Sequence, residues 1–296
     1  MHHELSTFFT FHFPLFAFIC TFAVIMSYEE FWKPLTALYD VNEAKAIARM
    51  VFDVQYGLTM ADIIMGKVDA LDHQQLQATQ QRLLQAEPVQ YVIGMAEFGG
   101  LQFHVEPGVL IPRPETYELC QRVVEKGGTS ILDIGTGSGC IACTLAVELP
   151  TAEVVAWDIS DEALRIASSN AQRLGAKVRF EQHDILCPPD DHQRWDAIVS
   201  NPPYICQCEQ QQMQRHVLDY EPSLALFVPD DDPLLFYRAI GRYAAQALKP
   251  GGYLLVEINM RYGEAVGNLL TDMGFADSTV YQDQFGKDRF VYANKV

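Results

Sequence analysis

The sequence predicts an α/β fold, in which a small helical domain and a β-hairpin linker precede a mostly parallel sheet of seven strands. From residue 130 onward, apolar runs of strand length alternate with helical patterns, which is typical of a parallel sheet covered on both faces. Residues 26–87 carry helical periodicity alone, and residues 88–112 contain two alternating runs around Gly99 and Gly100. We therefore assign residues 113–296 to the sheet domain.

Residues 1–25 form an apolar, phenylalanine-rich leader that differs from the rest of the chain. The leader lacks the Lys or Arg and the small-residue cleavage site of a secretory signal peptide. The segment M-S-Y-E-E-F, which begins at Met26, is typical of an ordinary cytosolic N-terminus. We expect residues 1–25 to come from an upstream start codon that is not normally used. A membrane anchor and a helix that binds a partner are the alternatives.

The predicted helical domain carries no chemistry of its own. Residues 43–51 and 71–85 show the apolar stripe of amphipathic helices, and Pro88 ends the domain. The runs V-Q-Y-V-I-G at 89–94 and G-L-Q-F-H-V at 100–105 are then expected to pair as a β-hairpin. The segment I-P-R-P-E-T follows the hairpin and predicts a stiff turn into the next helix.

The sheet domain is predicted from seven strand signals and the helices between them. Strands are expected at residues 130–134, 153–158, 177–181, 196–200, 252–258, 275–281 and 289–293. Helices are expected to begin near Gly139, Asp161, Asp232 and Tyr262. Ligands of such sheets bind beyond the carboxyl ends of the strands, so the residues that follow each strand are the candidates for function.

Composition and spacing exclude several function classes. The net charge of −17 argues against non-specific binding of nucleic acid, which depends on contacts of Lys and Arg with phosphates. Seven cysteines in irregular positions indicate a reducing, cytoplasmic setting, and Cys140 and Cys143 are predicted to lie in the core. The histidines show no metal-ligand spacing, and we predict no metal site.

A glycine-rich loop and two carboxylates follow the first three predicted strands. Gly135, Gly137 and Gly139 permit a tight turn and the close approach of a ligand. Their spacing departs from the dinucleotide fingerprint, and the loop lacks the Lys of a Walker phosphate loop. Asp158, after the second strand, can bind two ribose hydroxyls. Asp184, after the third strand, can bind an adenine amino group.

This pattern resembles the class I S-adenosylmethionine-dependent methyltransferases, which have a Rossmann-like sheet of seven strands with one antiparallel. Their cofactor carries no phosphate. A cofactor site built from Gly and Asp without Lys or Arg is consistent with that resemblance.

The segment S-N-P-P-Y-I at residues 200–205 follows the fourth strand. Pro202 and Pro203 cannot continue a strand ladder, so a plain strand terminator is one interpretation. The other is an acceptor site, in which the Asn201 side-chain oxygen and the Pro202 carbonyl accept both N–H bonds of a planar NH2 group. Tyr204 would cover the flat face of that group. Adenine N6, guanine N2 and glutamine N5 all fit this description.

Six motifs in order resemble one family over residues 28–296, the release factor glutamine methyltransferases of the PrmC/HemK type. The motifs are Y-V-I-G-x-x-E-F at 91–98, L-I-P-R-P-E-T at 110–116, the loop at 131–140, N-P-P-Y at 201–204, Y-E-P-S-L-A-L at 220–226 and F-G-K-D-R-F at 285–290. The resemblance implies methyl transfer from S-adenosyl-L-methionine to N5 of the glutamine in the Gly-Gly-Gln loop of peptide chain release factors. It also implies a monomer. The cysteine pattern favours a cytoplasmic location, the net charge argues against stable nucleic-acid binding, and we expect no membrane binding unless the leader is an anchor.

The resemblance further implies site residues by position. The cofactor would be held by Gly135, Thr136, Gly137, Ser138, Gly139, Asp158, Asp184, Ile185 and Asn201. The catalytic residues would be Asn201, Pro202 and Tyr204. The substrate would be bound by Phe98, Arg113, Glu115, Asn201, Pro202, Pro203 and Tyr204.

Three features depart from the family pattern. Tyr117 stands where an acidic residue usually follows P-E-T, the loop at 206–212 has no assigned role, and the leader is foreign to the family. The alternative functions are glutamine methylation of a ribosomal protein, amino methylation of a nucleic acid, and a non-catalytic binding module.

Overall fold

The computed structural model describes residues 26–296, so the predicted leader lies outside the described residues. Within residues 26–296, no helix combines the length and the apolar character needed to cross a membrane. The N-terminal part of this range contains the helices α1 (Tyr28–Trp32), α2 (Val41–Met50), α3 (Met60–Ile64), α4 (His73–Leu84) and α5 (Val89–Ile93).

The N-terminal helices share an apolar core, and the helices predicted at 43–51 and 71–85 are confirmed as α2 and α4. Asp40 begins α2, because its carboxylate accepts the free backbone N–H groups of the first turn. Gln80 of α4 donates to the carbonyl oxygens of Glu30 and Phe31 at 2.8 and 2.7 Å, which ties α4 to α1. The fully buried side chains of this core include Phe31, Leu35, Val51, Phe52, Leu76 and Leu83.

The strand predicted at 89–94 is wrong, because these residues form helix α5. Arg82 of α4 donates its guanidinium N–H groups to the carbonyl oxygens of Tyr91 and Val92, at 3.3 and 3.1 Å. These carbonyls lie in the last turn, where a helix leaves its acceptors unpaired and favours a cation. Gly94, with φ of 72°, ends the helix. The contact with α4, which lies outside the segment, therefore stabilises this helix.

The predicted hairpin begins directly after α5. Its strands are β1 (Met95–Phe98) and β2 (Leu101–His104), and they pair in antiparallel register with Phe98 opposite Leu101. Gly99 and Gly100 form the two-residue turn with φ of 58° and 79°, a conformation that favours glycine. A side chain at Gly99 would also collide with the ring of Tyr117.

The remaining helices and strands form the sheet domain and the segment inserted into it. The helices are α6 (Tyr117–Lys126), α7 (Cys140–Glu148), α8 (Asp161–Leu174), α9 (Arg215–Tyr220), α10 (Ser223–Leu226), α11 (Leu235–Ala247) and α12 (Gly263–Asp272). The strands are β3 (Ser130–Ile134), β4 (Glu153–Asp158), β5 (Val178–Gln182), β6 (Trp195–Ser200), β7 (Ile205–Cys206), β8 (Phe227–Val228), β9 (Leu248–Glu257), β10 (Phe275–Gln282) and β11 (Asp288–Lys295).

Seven of these strands form one sheet in the order β10–β11–β9–β6–β3–β4–β5, which confirms the predicted fold class. Neighbours from β9 to β5 run parallel, and β11 is antiparallel to both β9 and β10. The largest departure from the predicted bounds is at β9, which begins at Leu248 and not at residue 252.

Both faces of the sheet are covered by helices. Ile131 and Ala197 point to the face that α6, α7 and α8 cover, and Cys143 lies in the same core as predicted. Leu132 and Ile198, one residue further along each strand, point to the face that α11 and α12 cover. The apolar runs lack a polar alternation because both faces of these strands are buried.

Residues 201–234 connect β6 to α11 through short elements that the sequence pattern did not reveal. The two-residue strands β7 and β8 pair in parallel, and residues 207–212 form a 3-10 turn. In that turn, Glu209 accepts from the backbone N–H of Cys206 and from the amide of Asn259, at 3.0 and 3.1 Å. Elements this short have no measurable periodicity, so they depend on contacts with the rest of the chain.

The central strand β3 carries a buried carboxylate near its end. Asp133 is fully buried, and its Oδ2 accepts a 2.7 Å hydrogen bond from the Thr136 hydroxyl. Its Oδ1 has no partner among the described residues. Burial raises the pKa of Asp133 to about 7, because the ionised form loses its hydration.

This carboxyl group predicts a pH dependence of stability. Its pKa of about 7 in the native state exceeds its ordinary value of 3.8, so the native state binds the proton more tightly. The stabilisation that results is complete at pH values below the ordinary pKa of 3.8 and is lost as the pH rises toward the native-state pKa of about 7. Relative to Asp133→Asn, the free energy of unfolding of the wild type should therefore fall by up to about 1.4 kcal/mol per pH unit in this window. Urea denaturation of both proteins across the window measures the difference, and a pH-independent difference would contradict the assignment.

Candidate active site

Two cavities meet beyond the carboxyl ends of the central strands. The larger, of about 410 Å³, lies over β3, β4, β5 and β6, and the smaller, of about 190 Å³, adjoins it. The sheet order reverses between β3 and β6, and open α/β sheets bind their ligands at such a reversal. The residues that line both cavities are Leu110, Asn201, Pro202 and Ala225.

The glycine loop between β3 and α7 forms one wall of the larger cavity. The backbone N–H groups of Gly135 and Thr136 donate to the Trp157 carbonyl at 2.8 and 2.9 Å, which joins the loop to β4. Gly135 and Gly137 have φ of 75° and 54°, and no atom lies within 4 Å of where their side chains would begin. The open space in front of these two glycines belongs to the larger cavity.

Three predicted cofactor residues of the same loop lie behind this wall. Thr136 and Ser138 are buried, and neither they nor Gly139 line the larger cavity. A Cβ atom at Gly139 would lie 3.0 Å from the Cβ of Ala167, so this glycine permits the close packing of α7 against α8. These three residues pack behind the loop and support its conformation, and they do not face the cavity.

The carboxylates predicted at the strand ends both line the larger cavity, together with Ile185. Asp158 accepts hydrogen bonds from the backbone N–H groups of Gly137 and Ser160, at 2.8 and 3.0 Å. Burial raises the pKa of Asp158 above its ordinary value. Each of its oxygens accepts one of these bonds and keeps a lone pair for a ligand. Asp184 lies on the same wall, and the cavity lining contains no Lys or Arg among the described residues.

The apolar part of this cavity was not predicted from the sequence. Ile159 directly follows Asp158, Leu186 follows Ile185, and both are about half exposed at the cavity wall. Both could have been predicted, because they lie directly after the strand-end residues that were predicted to hold the cofactor. Further lining comes from segments far away in the sequence, at Val109, Leu110, Pro222, Leu224, Phe236 and Ile240.

The N-P-P-Y segment separates the two cavities. Asn201 and Pro202 line both of them, Pro203 lines the larger, and Tyr204 lines the smaller. The Asn201 Nδ2 donates to the Thr116 hydroxyl oxygen at 3.2 Å. Within residues 26–296, the Asn201 Oδ1 and the Pro202 carbonyl oxygen receive no hydrogen bond from a protein donor. Two free acceptors are therefore available where the cavities meet.

Glu257 at the end of β9 lies behind this segment. It is 1% exposed, and burial raises its pKa. The hydroxyl of Thr116 donates to its Oε2 at 2.6 Å, and the hydroxyl of Tyr204 donates to its Oε1 at 3.1 Å. The sequence analysis did not single out Glu257 or Thr116, although Glu257 ends a central strand as Asp158 does.

The smaller cavity contains one charged residue in its wall. Arg113 donates to the Glu221 carboxylate at 2.7 Å, and the backbone N–H of Ile111 donates to the same carboxylate at 3.2 Å. Glu221 is buried and belongs to the motif at 220–226. This pair joins the turn before α6 to the 201–234 segment. The rest of the wall is mainly apolar, with Leu110, Tyr204, Ile205, Met213, Val217, Ala225 and Leu226.

Two residues predicted to bind the substrate lie outside both cavities. Phe98 is 1% exposed and packs against the rings of Phe103 and Tyr117, with centroids 6.0 and 5.7 Å apart. The structure therefore places Phe98 in the core and corrects its predicted role in substrate binding, because a large aromatic ring is stabilised by the apolar area that it buries. Glu115 is half-buried and lines neither cavity.

The geometry defines what the site can bind. The larger cavity offers carboxylates, open backbone and apolar walls, which suits an apolar or hydroxyl-bearing ligand without phosphate. The smaller cavity offers two adjacent oxygen acceptors, which suits a planar NH2 group. Within the described range, no three His, Cys, Asp or Glu side chains are grouped to hold a metal ion.

Known proteins resemble this chain over most of its length. A family model described as a methyltransferase domain matches residues 125–282. A protein of Bacteroides thetaiotaomicron named release factor glutamine methyltransferase is 45% identical over 269 residues, which are 89% of this chain and 97% of that protein. A protein of Flavobacterium psychrophilum with the same name is 39% identical over 275 residues, 90% of this chain and 96% of that protein.

A solved structure supports the fold independently. The crystal structure of a methyltransferase from Pyrococcus furiosus matches with a TM-score of 0.50 and 17% identity, covering 74% of this chain and 98% of the other. At this identity the match concerns the fold alone. The fold, the two cavities and the extent of sequence identity lead to one conclusion: the chain belongs to the release factor glutamine methyltransferase family.

Proposed function

We propose that this enzyme transfers a methyl group from S-adenosyl-L-methionine to the side-chain amide nitrogen of the glutamine in the Gly-Gly-Gln loop of a peptide chain release factor. The observation that carries the proposal is the pair of free acceptors, the Asn201 Oδ1 and the Pro202 carbonyl, at the junction of the two cavities. Relatives at 45% and 39% identity are named for this reaction.

The larger cavity fits the proposed cofactor. When bound, S-adenosylmethionine supplies an electrophilic methyl group on a sulfonium and brings no phosphate to the site. Gly135 and Gly137 leave the backbone open to it, and within residues 26–296 no Lys or Arg lines the cavity. Asp158 would accept two ribose hydroxyls with its remaining lone pairs, and Asp184 would accept from the adenine amino group. Ile159, Ile185 and Leu186 would contact the apolar faces of the base.

The acceptor site would compensate for the weak nucleophilicity of an amide nitrogen, whose lone pair is delocalised into the carbonyl. Asn201 Oδ1 and the Pro202 carbonyl would each accept one N–H of the glutamine amide. The two hydrogen bonds would fix the plane of the amide and strengthen as positive charge develops on nitrogen. The N–CH3 bond would form as the bond between the methyl carbon and the sulfonium sulfur breaks, which would leave a neutral thioether as the leaving group. The methylated nitrogen would then be acidic and would lose one of its two protons.

The smaller cavity would also orient and desolvate the target. Its apolar wall would surround the methylene groups of the glutamine, and the Tyr204 ring would contact the flat face of the amide. Pro202 and Pro203 restrict the backbone that carries both acceptors. Orientation of this kind lowers the barrier because the reacting atoms are held before the reaction begins.

The choice of substrate is tested by label transfer. The purified protein is incubated with methyl-labelled S-adenosylmethionine and, separately, with a release factor, a ribosomal protein and duplex DNA. We expect label on the release factor, and none on a release factor whose Gly-Gly-Gln glutamine is replaced by asparagine. Label on the ribosomal protein or on DNA instead would establish one of the alternative functions.

A first prediction concerns the cofactor. Asp158→Ala removes the proposed ribose acceptor and the anchor of the Gly137 N–H, so affinity for S-adenosylmethionine should fall by about 1–3 kcal/mol, the range for hydrogen bonds to a charged group. Asp231→Ala, at an exposed carboxylate outside both cavities, is the matched control. Isothermal titration calorimetry measures both variants. An unchanged affinity for Asp158→Ala would remove Asp158 from the cofactor site.

A second prediction concerns Asn201. Asn201→Ala should leave cofactor affinity nearly intact and lower the methylation rate by about 10²–10³, the typical cost of losing one preorganised polar group. Asn201→Asp should be as poor as Ala, because its carboxylate cannot donate to Thr116 and adds a charge near the buried Glu257. Single-turnover methylation of release factor gives the rates. A wild-type rate for Asn201→Ala would contradict the acceptor site and support the alternative interpretation, in which residues 200–205 only terminate the strand.

A further inference from the structure

A chain of hydrogen bonds leads from the core to the acceptor site. It begins at Glu257, whose two carboxylate oxygens accept from the hydroxyls of Thr116 and Tyr204, at 2.6 and 3.1 Å. A carboxylate that receives a donor at each oxygen acts purely as an acceptor. Glu257 is 1% exposed, so water cannot readily replace either hydroxyl.

The next link has a fixed direction. A threonine hydroxyl has one hydrogen, and Thr116 gives it to Glu257, so its oxygen can only accept from other groups. Asn201 lies 3.2 Å away on the other side and meets this oxygen with Nδ2. Because Glu257 takes the hydroxyl hydrogen of Thr116, the Thr116 oxygen must face a donor, and that donor is the NH2 group of Asn201.

The direction matters because the two ends of an asparagine amide have nearly the same shape. Packing alone does not distinguish the observed amide from one rotated by half a turn, whereas hydrogen-bond polarity does. In the rotated form the NH2 group would face the acceptor cavity, and an incoming glutamine would meet a donor with its own N–H. The observed form leaves Oδ1 free there.

We propose that Thr116 and Glu257 are positioning residues that set the direction of the Asn201 amide, so that its oxygen faces the acceptor nitrogen. The inference rests on the proposed function, in which Asn201 accepts an N–H of the target amide. Glu257 sets the Tyr204 ring through its second oxygen, so one buried carboxylate orients both side chains of the acceptor site. Thr116 is 85 residues from Asn201 and 141 from Glu257 along the chain.

Paired substitutions at Thr116 separate orientation from packing. Thr116→Val keeps the shape and removes the hydroxyl, whereas Thr116→Ser keeps the hydroxyl and removes a methyl group. If the hydroxyl orients Asn201, kcat on release factor should fall by about 10-fold to 100-fold in Thr116→Val and stay within about threefold of wild type in Thr116→Ser. Cofactor affinity, measured by calorimetry, and the KM for release factor should change little in either variant, because a lost orientation acts on the transition state.

A packing role for Thr116 predicts the opposite order, with Thr116→Ser less active than Thr116→Val, and that order would overturn the inference. So would a wild-type kcat in Thr116→Val. Should the valine variant not fold because its added methyl group does not fit beside Glu257, Thr116→Ala and Thr116→Ser form a second pair that differs by the hydroxyl alone. Equal kcat values in that pair would likewise overturn it.

Asn201→Ala, assayed beside these variants, distinguishes the inference from the function on which it rests. A strong loss in Asn201→Ala together with an active Thr116→Val would reject the positioning role and leave the proposed acceptor site intact. Wild-type activity in Asn201→Ala would reject the acceptor site itself. A wild-type enzyme that fails to label release factor would reject the proposed function before any variant is compared.

Discussion

The pairing of β3 with β6 places the two halves of the site next to each other, and the remaining arrangement depends on it. These strands run parallel with Ile134 opposite Ser200, and the Ser200 hydroxyl donates to the Ile134 carbonyl at 2.7 Å. The glycine loop and the N-P-P-Y segment therefore leave the sheet from adjacent points. Because the strand order reverses here, the chain on either side diverges and opens the space that both cavities occupy.

Buried carboxylates recur around this opening, and each has a specific partner. Asp133 accepts from Thr136 below the glycine loop, Glu221 accepts from Arg113 beside the smaller cavity, and Glu257 accepts from two hydroxyls. Removing a carboxyl group from water is costly unless hydrogen bonds replace its hydration. A polar group held in this way also resists rotation. The carboxylates thus keep the walls of both cavities in place while the cavities themselves stay open.

Most of the fold and much of the candidate site follow from local sequence patterns. The central strands were predictable because strands buried on both faces read as continuous apolar runs, and the helices between them show a different period. The edge strands β5 and β10 are partly exposed along their length. Gly135, Gly137, Asp158, Asp184 and Asn201 were identifiable because each follows a strand, and parallel strands bring their carboxyl ends to one edge. The apolar neighbours Ile159 and Leu186 could have been added by the same rule.

The sequence by itself therefore determined the strands, their polar ends and the chemistry that those ends offer. Tertiary structure alone showed where other residues lie: α5 is a helix whose last turn Arg82 contacts, and Phe98 lies in the core between two rings. It also decided that Thr116 and Glu257, 141 residues apart, act on Asn201. Periodicity reports how a segment faces the core, whereas the partner of a buried polar group depends on which distant segment folds against it.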